Sequence, residues 1–200
     1  QQVANRWLGF SAKQTMVLAQ QLYEGINLGP EEQVGLITYM RTDALDLSNE
    51  FIHQARAVIQ NNFGSQFIAK TPRKFINKNK RAQEAHEAIR PTNPNRTPES
   101  VKKYLDPRQF RLYELIWQRA LASQAAEAQI DHLSINIEAD SAMFLATGQT
   151  ITFPGYLSIY PEQTQEKILP HLTDKEPLKL LELTTDQHFT QPPARYSDAG

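Results

Sequence analysis

The sequence predicts an α+β fold in a multi-domain fragment: a mainly helical domain followed by an antiparallel β domain that is incomplete. Apolar residues recur at helical spacing in the first 127 residues, whereas polar and apolar residues alternate beyond Gln129. A length of 200 residues with 40% hydrophobic content suits one large domain or two smaller ones. We therefore predict a helical domain over 1–127, a β-rich domain over 128–184 and the start of a further segment over 185–200.

Two helices are predicted in the first 64 residues. Ser11 is the expected N-cap of the first helix and Gly25 its end, and Ser48 and Gly64 have the same roles in the second. Apolar residues at helical spacing support both: Met16, Ala19, Leu22 and Tyr23, then Phe51, Ile52, Ala55, Val58 and Ile59. Between the helices, residues 34–40 are predicted to be a buried strand or an extended segment that leads into a turn.

The middle of the chain is predicted to be a long functional loop followed by two helices. Proline, asparagine and many cations interrupt the pattern over 64–97, where one short helix is expected at 81–89. Thr97-Pro98 and Asp106-Pro107 each place an N-cap residue before a proline at the first helical position. The second of these helices is expected to be long and to end near Gln129.

The last third is predicted to form strands. Alternation and β-branched residues favour strands at 132–138, 143–146, 150–153 and 178–183, with turns or loops at 147–149, 154–155 and 161–170. We expect the sheet to be incomplete, with its partner strands elsewhere in a longer protein, because the chain begins at Gln1 rather than at methionine.

Composition excludes several classes of site. The absence of cysteine rules out disulfides, thiolate zinc sites and cysteine nucleophiles. No apolar run approaches the roughly 20 residues that cross a bilayer, and the first residues do not resemble a signal peptide. We therefore expect a cytoplasmic protein without a membrane partner.

The charge is unevenly distributed although the net charge is only −1. Residues 70–111 contain 12 basic and 4 acidic side chains, whereas 112–200 contain 5 basic and 12 acidic ones. A positive region of this kind favours a nucleic-acid partner, but a solvated, lysine-rich surface loop would look the same.

Two short runs carry residues suited to attack on a phosphodiester. Tyr39 offers a phenol nucleophile, and Arg41 offers a planar cation that can bind two phosphate oxygens and favour the phenolate. If Tyr39 ends a strand, Arg41 lies on the same side, since side chains alternate with period two. His86 could donate to phosphate when protonated or transfer a proton.

Each of these residues also has an ordinary structural interpretation. Tyr39 follows apolar residues and could be a core tyrosine, and His86 could pair with Glu84 or Glu87 on a helix. Asp43 and Asp46 could bind a metal ion, although Asp43 could simply orient Arg41. No His, Asp or Glu spacing indicates a metal site.

Three longer runs, in this order, resemble the type IA DNA topoisomerases, in their bacterial topoisomerase I branch. They are LITYMRTD at 36–43, QEAHEAIRPT at 83–92 and QHFTQPPARY at 187–196. The runs LGFSAK at 8–13 and AQQLYE at 19–24 are similar to the same family. Methionine at position 40 favours topoisomerase I over topoisomerase III, where proline is usual.

The resemblance implies relaxation of negatively supercoiled DNA without ATP. Tyr39 would cut one strand and form a 5′-phosphotyrosyl link, Arg41 would stabilise the scissile phosphate and its transition state, and His86 would contact phosphate or transfer a proton. Arg195 and Arg90 would contact DNA, and Asp43 would have an orienting role. The resemblance also implies Mg²⁺, bound by a Toprim domain outside this sequence and not by this fragment.

By the same resemblance, 1–127 corresponds to the tyrosine-bearing gate domain, 128–184 to part of the arched β domain and 185–200 to a returning DNA-binding segment. The partners implied are DNA, single-stranded at the cleavage site, and the remaining domains of the same polypeptide. The fragment alone is expected to lack relaxation activity.

Two other functions remain open from the residues. Cations of the 70–111 region, with Phe75, Tyr104 and Phe110 beside them, could bind single-stranded DNA by phosphate contacts and base stacking. A structural gate module without catalysis is the other alternative.

Overall fold

The computed structural model describes residues 1–75, 86–162, 166–192 and 195. Five helices and a short β-pair form the first part of the chain, and a long hairpin follows. The helices are α1 (Gln2–Leu8), α2 (Ala12–Glu24), α3 (Asn49–Phe63), α4 (Pro98–Val101) and α5 (Pro107–Ala122). The strands are β1 (Ile26–Asn27), β2 (Gln33–Val34), β3 (Gln129–Ala139) and β4 (Ala142–Phe153). The predicted α+β class is confirmed. No helix in the described ranges has the length and apolar character that a membrane span requires.

The predicted helix caps are confirmed as hydrogen bonds. The hydroxyl of Ser11 accepts from the backbone N–H of Gln14 at the start of α2, and that of Ser48 accepts from Phe51 at the start of α3. Asp106 forms a capping box with Gln109 at the start of α5. Helix α1 was not predicted from the sequence, because it has only seven residues and no side-chain cap bond marks its start.

Helix α5 ends at Ala122, before the predicted end near Gln129. The next residues bond to another part of the chain instead of continuing the helix. The N–H of Ala69 donates to the carbonyl of Gln124 at 3.1 Å, and the N–H of Ala126 donates to Phe67 at 2.7 Å. The fully buried Gln124 side chain also bonds to the backbone N–H and carbonyl of Arg73. These bonds anchor the base of the hairpin on the helical part.

Residues 143–153 lie in one continuous strand, so the turn predicted at 147–149 is wrong. Gly148 pairs with Leu133 inside the β3–β4 ladder. Gln149 exchanges backbone hydrogen bonds with Lys167 on its other side, at 2.9 and 3.1 Å. A Cβ on Gly148 would lie 2.4 Å from the Lys167 carbonyl oxygen. The glycine thus permits close approach of a third segment and does not mark a turn.

The strand predicted at 178–183 is also wrong. These residues form no strand, and Leu180 and Leu181 are 73% and 88% exposed. A strand needs a neighbour to satisfy its backbone groups, and none of the described segments pairs with this one. The domain boundaries at 127 and 184 remain predictions.

The described parts of the 64–97 region, 64–75 and 86–97, are largely irregular, as predicted, apart from a short 3₁₀ turn at Ser65–Phe67. Of the short helix predicted at 81–89, residues 81–85 lie outside the described ranges, and 86–89 are not helical. The buried-strand alternative for 34–40 is wrong for most of the segment, because only Val34 lies in a strand, β2, and Ile37 makes a single bridge to Pro91.

The core lies between α2, α3 and α5. Leu22, Ile59 and Leu121 are fully buried there. Two aromatic side chains of α5 also hold the 91–97 stretch. The hydroxyl of Tyr113 donates to the carbonyl of Arg96 at 2.6 Å, and the indole N–H of Trp117 donates to Pro94 at 2.8 Å. The core therefore supports the segment that follows His86.

Candidate active site

The residues just before Tyr39 are hydrogen-bonded to the residues just after His86. The N–H of Thr38 donates to the carbonyl of Arg90 at 2.9 Å, and the N–H of Thr92 donates to Leu36 at 3.0 Å. The Thr38 hydroxyl adds a bond to the carbonyl of Ala88 at 2.9 Å and accepts from the N–H of Arg90 at 3.0 Å. We call these two parts the 36–38 segment and the 86–92 segment. These hydrogen bonds set the relative position of the two segments.

Helix α2 supports the 36–38 segment from another direction. The N–H of Leu36 donates to the carbonyl of Leu22 at 2.7 Å. A Cβ on Gly35 would lie 2.7 Å from the backbone oxygen of Tyr23. Glycine at this position lets the chain pass close to the end of α2.

These supports bring Tyr39 and His86 together, although they are far apart in sequence. Their rings stack with centroids 4.8 Å apart and planes inclined by 30°. Tyr23 approaches Tyr39 in an edge-on arrangement at 5.5 Å. Both Tyr39 and His86 are partly exposed. The phenol is therefore held between two rings and remains accessible to a ligand.

Arg41 lies on the exposed side of the same region. Its Nη2 donates to Oε1 of Gln20 at 3.4 Å. Gln20 and Tyr23 are three residues apart on α2, so one helical surface contacts both Arg41 and Tyr39. The predicted reason for their proximity, strand alternation, is wrong, because residues 38–41 are not in a strand. Asp43 is exposed as well.

Glu87 is paired with Arg90 and not with His86. Its Oε2 accepts from Nε of Arg90 at 2.7 Å and from the backbone N–H of Ser48 at 3.2 Å. The hydrogen bond from Arg90 is the main cause that lowers the pKa of Glu87, and burial opposes it. The alternative in which Glu87 pairs with His86 is therefore wrong, and Glu84 lies outside the described residues.

Comparison with known proteins identifies the family. The DNA topoisomerase family model matches residues 1–200, the whole chain.

The chain belongs to the type IA DNA topoisomerase family.

Relatives and a solved structure agree with this assignment. DNA topoisomerase 1 of Rickettsia felis is 46% identical over the whole chain, and that of Campylobacter jejuni is 44% identical. Full-length topoisomerase I from Thermotoga maritima superposes with a TM-score of 0.73 at 36% identity, over 86% of this chain and 27% of that one. The chain spans 26% and 28% of the two curated relatives. The resemblance stated from the motifs is confirmed.

Two further residues of this type IA chain, Arg90 and Arg195, were predicted to contact DNA. The side chain of Arg90 is 13% exposed, and its guanidinium lies 4.7 Å from the centroid of the Phe51 ring. Arg195 is exposed, and among the described residues no hydrogen bond or ion pair joins it to Tyr39. Contact of Arg90 and Arg195 with DNA stays a prediction.

The described residues of this topoisomerase chain contain no group of three or more His, Asp or Glu side chains that could hold a metal ion. Asp46, considered above as a ligand, uses its backbone carbonyl to accept from the N–H of Ala88 at 2.8 Å.

Sequence reasoning missed three residues that shape the site. Tyr23 was interpreted as part of the apolar face of α2, yet it is 41% exposed and contacts Tyr39. Thr38 and Glu87 were not singled out as anchors. The spacing of three residues between Glu87 and Arg90 could have indicated an ion pair. Charged pairs at that spacing are common on protein surfaces, however, so the spacing alone does not identify an anchor.

Proposed function

We propose that this chain is the tyrosine-bearing part of an enzyme that relaxes negatively supercoiled DNA by transient cleavage of one strand. The Tyr39 oxygen attacks the scissile phosphorus, a P–O(Tyr) bond forms and the bond to the 3′ oxygen breaks. The phenol loses its proton and the 3′ oxygen gains one. Another strand passes, and the 3′-hydroxyl then reverses the reaction. No ATP is needed, because the phosphotyrosyl bond retains the energy of the broken phosphodiester.

The observation that supports this proposal is the stacking of a partly exposed Tyr39 on His86, beside a helix α2 that contacts both Tyr39 and Arg41. The stacking distance of 4.8 Å places the imidazole beside the phenol. Arg41 is exposed and is held by a long bond to Gln20, so its fork can turn to a phosphate at little cost. A tyrosine buried in the core would instead have no access to DNA.

Each residue has a proposed role in this reaction. Arg41 binds non-bridging oxygens and stabilises the charge of the pentavalent transition state. His86 contacts the phosphate or transfers a proton. Asp43 orients its neighbours, and Arg195 contacts DNA. The remaining domains of the polypeptide would complete the grip on single-stranded DNA at the cleavage site, in the cytoplasm at the nucleoid.

Magnesium enters this proposal as a requirement of the full-length enzyme. By the family resemblance, we place the Mg²⁺ site in a Toprim domain elsewhere in that enzyme. When bound, the ion would supply positive charge near the phosphate. The 200-residue chain by itself is accordingly expected to fold but not to relax DNA.

The decisive experiment is to locate the covalent bond. The full-length enzyme is mixed with Mg²⁺ and a labelled single-stranded oligonucleotide, denatured rapidly and digested with protease. We expect the DNA-linked peptide to contain Tyr39, attached through a 5′-phosphate. An adduct at another tyrosine, or DNA relaxation without an adduct, would contradict the proposal.

A second candidate function, binding of single-stranded DNA without catalysis, has its own support. Cations lie over aromatic rings in one part of the chain. Lys102 is 5.0 Å from the Phe110 ring, Lys103 is 4.7 Å from the Tyr104 ring and Arg111 is 5.6 Å from the Phe10 ring. Such pairs present charge and a stacking surface together.

Salt dependence tests this binding function. Affinity of the 200-residue chain for a labelled single strand is expected to fall with salt, with a slope of about 0.7 for each phosphate contact. Replacing Lys102 and Lys103 by alanine should reduce the slope by roughly 1.4. The charge-matched control replaces Lys175 and Lys179, which are exposed in the acidic last third. Equal effects of both pairs, or binding that is insensitive to salt, would contradict a specific role for Lys102 and Lys103.

A further inference from the structure

The 86–92 segment is attached on two sides. Thr38 holds it to the chain that carries Tyr39, as described above. On the other side, the N–H of Ala88 donates to the carbonyl of Asp46, and Glu87 accepts from the N–H of Ser48. Ser48 is the N-cap of α3. The segment therefore bridges the start of α3 and the nucleophile's own backbone.

The Glu87–Arg90 pair is the centre of the second attachment. Arg90 donates to Glu87 through Nε at 2.7 Å and to the carbonyl of Pro91 through Nη1 at 3.1 Å. Its guanidinium also packs over Phe51, which is buried in the first turn of α3. With 13% of its side chain exposed, Arg90 is committed to intramolecular contacts on three sides. A phosphate that bound this guanidinium would share it with Glu87.

From this geometry we propose that Glu87 and Arg90 are positioning residues, which hold His86 against Tyr39 for DNA cleavage. This inference rests on the proposed function. It also assigns Arg90 a role different from the predicted DNA contact. His86 directly precedes Glu87, so a shift of the Glu87 backbone would move the imidazole relative to the phenol. Misplacement by about 1 Å can cost about 10²-fold in rate.

Different replacements remove different parts of this attachment. Glu87→Ala removes the acceptor for both Ser48 and Arg90, whereas Glu87→Gln keeps a neutral acceptor of the same length. Arg90→Lys keeps the charge but loses the planar fork that reaches Glu87, Pro91 and the Phe51 face at once. From fastest to slowest, the expected order of cleavage rates is wild type, Glu87→Gln, Arg90→Lys and Glu87→Ala.

The test is single-turnover cleavage of a single-stranded oligonucleotide by the full-length enzyme, with DNA affinity measured separately in a Tyr39→Phe background. We expect Glu87→Ala to slow adduct formation about 10- to 100-fold. The dissociation constant should change less than about threefold, because the pair does not touch DNA. Glu50→Ala is the matched control. This exposed carboxylate lies in the first turn of α3, near the Ser48 N-cap that Glu87 contacts, but it bonds to Gln54. It should cleave at the wild-type rate.

A double-mutant cycle separates positioning of His86 from general support of the fold. If Glu87 acts through His86, Glu87→Ala should have little further effect in a His86→Ala enzyme. Equal slowing in both backgrounds would overturn the proposal. If Arg90→Lys weakens DNA binding without slowing cleavage, Arg90 is a DNA contact and the proposal is also overturned. Should Glu87→Ala not fold, Glu87→Gln provides the same cycle.

Failure of the proposed function gives a different result. In that case the wild-type enzyme itself forms no adduct at Tyr39. Failure of the positioning role leaves the wild-type adduct intact and only removes the coupling between residues 86 and 87.

Discussion

Replacing Tyr39 by phenylalanine in the full-length enzyme is expected to abolish the covalent adduct and the relaxation of supercoiled DNA. The change removes one oxygen atom, which is the proposed nucleophile, and no neighbouring group described in the structure can replace it in the same position. Loss of a nucleophile costs at least about 10⁴-fold in rate in comparable enzymes. The measurements are adduct yield after denaturation and the distribution of topoisomers.

The same replacement should leave the fold and DNA affinity close to wild type. The ring of phenylalanine can keep the stacking on His86 and the edge contact with Tyr23, which position the side chain. Tyr156→Phe is the matched control, because it removes a hydroxyl whose bond to Glu162 is long, at 3.5 Å, and far along the chain from the site. Persistence of the adduct in the Tyr39→Phe enzyme would falsify the assignment.

Replacing Arg41 by alanine is expected to slow cleavage about 10²- to 10³-fold, the usual cost of losing one group that stabilises transition-state charge. The side chain is exposed, and among the described residues it makes one hydrogen bond, at 3.4 Å, to the partly exposed Gln20. Its truncation should therefore cost little stability, so a large rate effect would report on the reaction. Single-turnover cleavage at saturating DNA measures the effect.

Arg41→Lys and a distant arginine provide the comparisons for this prediction. Lysine should recover part of the rate, since it restores the charge but not the two-pronged contact with phosphate oxygens. Arg6→Ala removes the same charge from the exposed side of α1 and should cleave normally. If Arg41→Ala only weakens DNA affinity and cleaves at the wild-type rate once saturated, Arg41 binds the ground state and does not stabilise the transition state.

The parts of the fold that could be predicted depend on contacts between neighbours in sequence. Ser11, Ser48 and Asp106 cap their helices through bonds to residues two or three positions away. Bonds of that range follow from residue type and order alone, so the predicted starts of α2, α3 and α5 were correct. The wrong predictions, a turn at Gly148 and a strand at 178–183, concern pairing between residues that are far apart in sequence. A glycine in a turn and a glycine under a crossing segment look identical in sequence, and only the position of Lys167 distinguishes them.

The residues of the candidate site also fall into those that the sequence predicted and those that only the structure identified. Tyr39, Arg41 and His86 were predicted as a set from the order of three motifs and their resemblance to a family. The match of the family model to residues 1–200 confirms the family, and the roles of these three residues remain predictions. The roles of Tyr23, Thr38 and Glu87 could not be predicted. Their partners lie in other elements, and nothing in their local sequence specifies those partners.

The sequence by itself determined the family and the class of fold, and it supplied the prediction of which side chains would attack a phosphodiester. Residue types, their order and short-range hydrogen bonding are sufficient for these properties. Only the tertiary structure decided how those groups meet: Tyr39 stacks on His86, α2 contacts both Tyr39 and Arg41, and Glu87 binds Arg90 in place of His86. The physical reason is that long-range hydrogen bonds, such as those between Thr38 and residues 88–90, depend on packing of the whole core.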